Sequence, residues 1–134
     1  MSIKCLVVTP ERTVLNLDAT LVVLPLSDGE YGVLPDHAPL IARLGAGELR
    51  ITETDGQQTD YYVEGGFVEV LDNTVVLMSM YSIPAKDLDL AYAEEQLEKA
   101  QASSFDTAEF LKIRHEKLYN YRARVSVARK MAKS

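Results

Sequence analysis

The chain carries one cysteine, Cys5, and no tryptophan. One thiol can neither close an internal disulfide nor build a cysteine-based zinc site. In a strand-like context Cys5 reads as a small buried hydrophobe. Long apolar runs are also missing: stretches such as 21–26 and 75–78 fall far short of the roughly 20 residues that a membrane helix needs. The opening Met1-Ser2-Ile3-Lys4-Cys5 meets Pro10 before an apolar core can form, which argues against a secretory signal. Catalytic patterns are equally scarce. His37 and His115 stand in different halves with no HExxH or cysteine spacing, so no metal site is expected. Neither Gly-x-Ser-x-Gly nor the phosphate-cradling Gly-x-x-x-x-Gly-Lys-Ser/Thr occurs, and Gly29-Glu30-Tyr31-Gly32 has no phosphate-binding lysine after it. Glu30, Asp36 and Glu64 read as solvated carboxylates. A non-catalytic protein without a cofactor is the expectation.

Basic residues are rare over most of the length. Residues 1–84 hold four basic against twelve acidic side chains, and residues 85–111 hold two against seven. Residues 112–134 reverse this, with eight basic side chains against Glu116 alone, inside a formal net charge of −6. A basic tail on an acidic body calls for an anionic partner. Nucleic acid fits poorly, since no strand pairs aromatic with basic residues for stacking on bases. Direct membrane insertion fits poorly too, because the helical apolar stripe is alanine-rich and lacks tryptophan. An acidic protein surface suits the tail better.

What is present divides into two periods. Up to about Ile83 the pattern is that of β-structure. The run 4–9 stops at Pro10, the run 20–24 ends at Pro25, and 47–53 alternates at period two. Asp55-Gly56 signals a hairpin returning through 60–64, Gly65-Gly66 punctuates, and residues 67–71 turn at Asp72-Asn73 into 74–78. Such short strands predict an antiparallel β-sandwich or barrel over 1–84. After Pro84 the period becomes helical. Asp87 is the expected N-cap, with Leu90, Ala93, Leu97 and Ala100 on one face. Ser103-Ser104 breaks that helix, and Asp106 with Glu109 forms a capping-box relative opening a second. There Leu111, Leu118, Val125 and Ala132 recur every seven residues, with Tyr121 and Ala128 between them. Residues 85–134 thus predict an antiparallel two-helix hairpin with a thin seam, whose pose depends on what it packs against.

The most distinctive segment, Gly29-Glu30-Tyr31-Gly32-Val33-Leu34-Pro35-Asp36-His37-Ala38-Pro39-Leu40, reads as a rigid extended loop. Pro35 and Pro39 each push the preceding residue out of the helical region. Gly32 and Gly47 are expected where the backbone turns or is closely approached, and His37 more readily satisfies local hydrogen bonds than binds metal. The segment closely resembles the Gly-x-hydrophobic-Gly-hydrophobic-hydrophobic-Pro-x-His-Ala-Pro signature of F-type ATP synthase epsilon subunits. Val8-Thr9-Pro10-Glu11-Arg12, residues 44–51 and Val63-Glu64-Gly65-Gly66-Phe67 are similar to further motifs of that family, so the likeness spans the chain.

That resemblance implies a central-stalk rotor subunit that couples proton flow to ATP synthesis. One side of the sandwich would pack on the gamma subunit. The loop end with Glu30, Tyr31 and His37 would face the c-subunit ring. The helices would reach the alpha/beta catalytic head and restrain ATP hydrolysis, with Arg122, Arg124, Arg129 and Lys130 meeting acidic beta-subunit residues. It also implies a peripheral place on the cytoplasmic face of a bacterial plasma membrane, or on the stromal face of a thylakoid. Some bacterial members bind ATP through an Ile/Leu-Asp-x-x-Arg-Ala motif. Here Leu88-Asp89-Leu90-Ala91-Tyr92-Ala93 keeps Asp89 but puts Tyr92 at the arginine position, so no nucleotide site is expected. The alternative reading is a stand-alone ATP-binding sensor that draws its phosphate cation from Arg122 or Arg124.

Overall fold

A computed structural model describes residues 1–102 and 108–133. The chain divides into two compact units, Met1–Pro84 and Ala85–Ser134.

The first unit is a β-sandwich of β1 (Ile3–Val8), β2 (Thr13–Leu26), β3 (Gly29–Val33), β4 (Leu40–Arg43), β5 (Ala46–Glu53), β6 (Gln58–Glu64), β7 (Phe67–Leu71), β8 (Thr74–Met78) and β9 (Tyr81–Pro84). Hydrogen bonding runs β4-β7-β8-β1-β2-β5-β6-β9, with β3 also beside β2. At 14 residues, β2 serves two neighbourhoods. Its first part pairs with β1, from Val8↔Thr13 to Ile3↔Ala19, and its second part pairs with β5 and β3. The change of partner coincides with an irregularity between Ala19 and Leu21, where a bulge bends the strand. One continuous strand therefore feeds both layers.

Alternating inward positions fill the core: Ile3, Cys5 and Val7 from β1, Val22 and Leu24 from β2, and Leu49 and Ile51 from β5. Val63, Val68, Val70, Val75 and Leu77 join it from β6, β7 and β8, as do Ala19, Val33 and Leu44. Each such burial contributes about 1.5–3 kcal/mol relative to exposure. Cys5 is fully buried, and burial pushes its thiol up to about 12. The hairpin at Asp55-Gly56 forms as its residues predict. Gly56 has φ +89°, its N–H donates to Glu53 O at 2.9 Å, and Asp55 Oδ1 accepts from Gln57 N at 2.9 Å.

Five expectations change in this unit. Glu64 is not solvated: it is buried at the end of β6, where its Oε2 accepts a hydrogen bond from Tyr62 Oη at 2.6 Å. β1 and β8 pair in parallel, a pairing between strands far apart in the chain that no local turn signal reveals. Pro25 lies within β2 rather than ending it: the ladder to β5 stops at Val23↔Arg50, so no β5 carbonyl needs its missing N–H. The segment 29–40 is not one loop, since 29–33 form edge strand β3 on β2 and Leu40 opens β4 on β7. Gly32 and Gly47 consequently sit in strands. A Cβ at Gly32 would meet only Leu21 Cδ1 at an ordinary 3.8 Å, whereas one at Gly47 would crowd Pro25 Cβ at 3.2 Å.

In the second unit a 3-10 turn, Ala85–Asp87, precedes α1 (Leu90–Ala102) and α2 (Ala108–Ala132). The cap of α1 is Asp89 rather than Asp87, which the turn absorbs. Asp89 Oδ1 accepts from Tyr92 N at 3.1 Å, and Asp89 O accepts from Ala93 N at 2.9 Å. Leu90, Ala93, Leu97 and Ala100 are indeed covered on α1, with Gln96 beside them. On α2, Leu118, Val125, Val127 and Ala128 are buried, while Ala132 is exposed because the seven-residue repeat outruns the packed seam. The Ser103-Ser104 break and the capping box led by Asp106 lie outside the described residues.

Gly66 is the tightest point of the sandwich. Its φ is +98°, and a Cβ there would sit 1.8 Å from Met78 O. Gly66→Ala is expected to destabilise the fold by roughly 3 kcal/mol or more, and Gly32→Ala to change it by no more than about 0.5 kcal/mol. Urea unfolding of both variants checks the contrast, and equal midpoints would refute it.

Candidate functional site

Three surfaces carry the chemistry that the two units expose. At one end of the sandwich, Tyr31 on β3 and His37 in the following loop come together. Tyr31 Oη lies 2.7 Å from His37 Nε2, and the rings meet edge to face with centroids 5.5 Å apart. His37 Nδ1 is 2.6 Å from Ala38 O. A carbonyl oxygen only accepts, so Nδ1 carries the hydrogen, and in the neutral ring Nε2 then accepts from the Tyr31 hydroxyl. The imidazole is thereby spent on shaping the loop.

The loop is pinned from a second side. Asp36, at φ +66°, donates its backbone N–H to Asn73 Oδ1 at 2.6 Å, and Asn73 Nδ2 donates back to Asp36 Oδ1 at 3.2 Å. Asp72 and Asn73 have φ of +48° and +59°, as the two-residue hairpin between β7 and β8 demands. Asp and Asn tolerate this left-handed region because their short polar side chains bond locally. Pro35 and Pro39 lie in the loop between β3 and β4 and limit its backbone further.

Glu30 does not join Tyr31 and His37. Neighbours on a strand point to opposite faces, and Glu30 Oε2 meets Arg50 Nη2 on β5 at 2.5 Å, with Arg50 Nη1 3.3 Å from Glu48 Oε1. The Glu30 hydrogen bond is the chief cause that holds the Arg50 guanidinium above its ordinary value; partial burial opposes it and Glu48 adds to it. Beside this pair a cleft of about 420 Å³ opens between the β3 and β4 edges, floored by Leu26, Leu40 and Ala42.

The second surface is the outer face of β4, β7 and β8. Ile41 is 74% exposed, Phe67 51%, Leu71 46% and Met78 51%. Register brings them together: Phe67 lies between Arg43 and Met78, and Glu69 between Ile41 and Val76. Large apolar side chains grouped on an exposed sheet face mark a surface that another molecule covers. The sequence reading missed this face. Its signal lay in Phe67-Val68-Glu69-Val70-Leu71, where apolar residues occupy both sides of the alternation.

The third surface is the basic side of the helical pair. Arg122, Arg129 and Lys130 line a cavity of about 490 Å³ together with Leu97, Val125, Ser126 and Lys133. Arg129 Nη2 reaches Glu94 Oε1 at 3.3 Å, tying the end of α2 to the start of α1 as in an antiparallel pair. Arg124 is apart from that cavity, its Cζ 5.6 Å from the Tyr121 ring centroid. Among the described residues no three His, Cys, Asp or Glu side chains gather to hold a metal ion, and no helix is long and apolar enough to cross a membrane.

Residues 2–83 match the family model described as ATP synthase, Delta/Epsilon chain, beta-sandwich domain. An ATP synthase epsilon chain from Rhodopirellula baltica is 40% identical over 129 residues, spanning 96% of this chain and all of the relative. The fold is similar to a chain in the cryo-EM structure of the Euglena gracilis mitochondrial ATP synthase OSCP/F1/c-ring, with TM-score 0.81, 22% identity, and 99% and 82% of the two chains covered. A chain in the Tetrahymena thermophila mitochondrial ATP synthase central stalk/c-ring has TM-score 0.74 and 19% identity, with 96% and 97% covered.

Asn73→Ala removes both hydrogen bonds to Asp36 at a left-handed position. It is expected to cost about 1–2 kcal/mol and to speed amide exchange across residues 34–39. Hydrogen exchange unchanged in that loop would show that the pin does not hold it.

Proposed function

The chain belongs to the ATP synthase epsilon-chain family, and from that membership we propose that it serves as a non-catalytic central-stalk subunit coupling ion flow through the c ring to ATP synthesis. The single observation that carries the reading is the apolar outer face of β4, β7 and β8, exposed on a chain whose relatives work inside a multisubunit assembly. Ile41, Phe67, Leu71 and Met78 form the docking face for the gamma subunit. Arg43 and Glu69, set among them, supply a charge pattern that fixes its register.

The end built on Tyr31, His37 and the Asp36–Asn73 pin faces the c ring. Its hydrogen bonds are satisfied internally, so it presents a rigid surface, which is what transmission of torque requires. Glu30, half shared with Arg50, keeps enough exposure to meet a ring cation. The subunit sits peripherally on the membrane-bound complex, on the bacterial cytoplasmic face in the reading favoured here or the stromal face of a thylakoid in the other.

The helices restrain ATP hydrolysis. Their seam is small, with Ala93 and Ala128 among its buried members, so α2 separates from α1 at low cost. The Arg129–Glu94 pair is more than half exposed on both sides and holds weakly. Once released, Arg122, Arg124, Arg129 and Lys130 can pair with carboxylates of the beta subunits. A stand-alone ATP sensor has one observation in its favour, the cations around the 490 Å³ cavity. Against it, Tyr92 brings no charge to the motif position, and Arg129 already has Glu94. Isothermal titration with ATP separates the two, since saturable micromolar heat would support the sensor.

Two further tests address the main reading. The Ile41→Asp, Phe67→Asp double variant should retain its circular dichroism and lose copurification with gamma; undiminished copurification would refute the docking face. Removing residues 112–134 should raise ATPase activity of the assembled head without preventing assembly, and unchanged hydrolysis would count against restraint.

A further inference from the structure

We infer that Met78 and Met80 make the docking face sensitive to oxidation: a hydroperoxide converts their thioethers to sulfoxides in the unassembled chain, and gamma then binds less tightly. The inference rests on the gamma-docking reading of the outer face. The chain has four methionines, Met1, Met78, Met80 and Met131. Met78 is 51% and Met80 69% exposed, so peroxide reaches both in the free chain.

Their position makes the consequence specific. Met78 lies directly opposite Phe67 in the β7–β8 register, within the apolar patch. Its carbonyl oxygen is held against Gly66, and Met80 Cγ lies 3.7 Å from where a Gly65 Cβ would stand. The close approach of Gly66 to the Met78 carbonyl and the Phe67–Met78 pairing hold the backbone in this register, which keeps Met78 on the outer face. The chain's one thiol offers no competing target, because Cys5 is fully buried and its pKa raised to about 12 leaves almost no thiolate. A thioether reacts without losing a proton.

In the step itself, a sulfur lone pair attacks the distal oxygen of the hydroperoxide. The S–O bond forms, the O–O bond breaks, and the proton moves to the departing oxygen, which leaves as alcohol or water. Sulfur is oxidised by two electrons and the peroxide is reduced by two. The product is polar and chiral, and sulfoxide reductases reverse it. Burying that polar group opposite Phe67 without a partner opposes docking, while the assembled subunit, with the face covered, is protected.

The experiment treats the full chain with hydrogen peroxide, maps sulfoxide by mass spectrometry, and measures affinity for gamma before and after. The expected result is modification at Met78 and Met80 and about tenfold or greater weakening. Reductase treatment should restore the affinity, and the Met78→Leu, Met80→Leu double variant, which conserves volume, should bind equally well treated or untreated. Full affinity with sulfoxide present at both residues, no sulfoxide at either, or the same weakening in the leucine variant would each overturn the inference. Failure of the untreated chain to bind gamma would instead sink the docking reading, and this inference with it.

Discussion

The sandwich depends on two backbone constraints that leave little freedom elsewhere. The first is that β2 ladders to β1 over its first part and to β5 and β3 over its second. The second is the contact of Gly66 with the Met78 carbonyl, where the chain passes from β6 to β7 with no room for a side chain. The β1–β8 ladder joins β7 and β8 to this frame, and the ladders together set which side chains face outward. The apolar face of Ile41, Phe67, Leu71 and Met78 is thus a product of register, because a slip of one residue would turn those side chains into the core.

From that frame follows a division of labour. Polar side chains satisfy one another: Tyr31 with His37 and Asp36 with Asn73 at the loop end, and Glu30 with Arg50 on the other face of β3. Such closed pairs stiffen a surface and add little net stability, since each exposed bond replaces one to water. The β4–β7–β8 face does the opposite, leaving apolar area uncovered for a partner. Among the described residues of the helical unit few side chains are buried, and the Arg129–Glu94 pair that links the helices is weak and exposed. Stiffened loop end, open apolar face and loosely held basic helices are thus three physically different surfaces on one chain.

Much of this was legible beforehand for identifiable reasons. The Asp55-Gly56 hairpin and the Asp72-Asn73 turn could be read because few residues adopt positive φ. The α1 face of Leu90, Ala93, Leu97 and Ala100 was legible from its period alone. The capping residue was misplaced by two, because Asp87 and Asp89 are chemically alike and only the 3-10 turn distinguishes them. The family resemblance groups Glu30, Tyr31 and His37, yet strand alternation turns Glu30 to Arg50, away from the Tyr31–His37 pair.

By itself the sequence determined the two-part order, the turns and the inward faces of most strands, since these rest on local periodicity and on residue types that only certain backbones accept; the family resemblance rested on its ordered motifs, above all residues 29–40. Tertiary structure alone decided the parallel β1–β8 pairing, the seat of Pro25 within β2, the Asp36–Asn73 pin and the outward apolar face. Each of these joins residues far apart in the chain, and the energy that selects them exists only once the strands have been brought side by side.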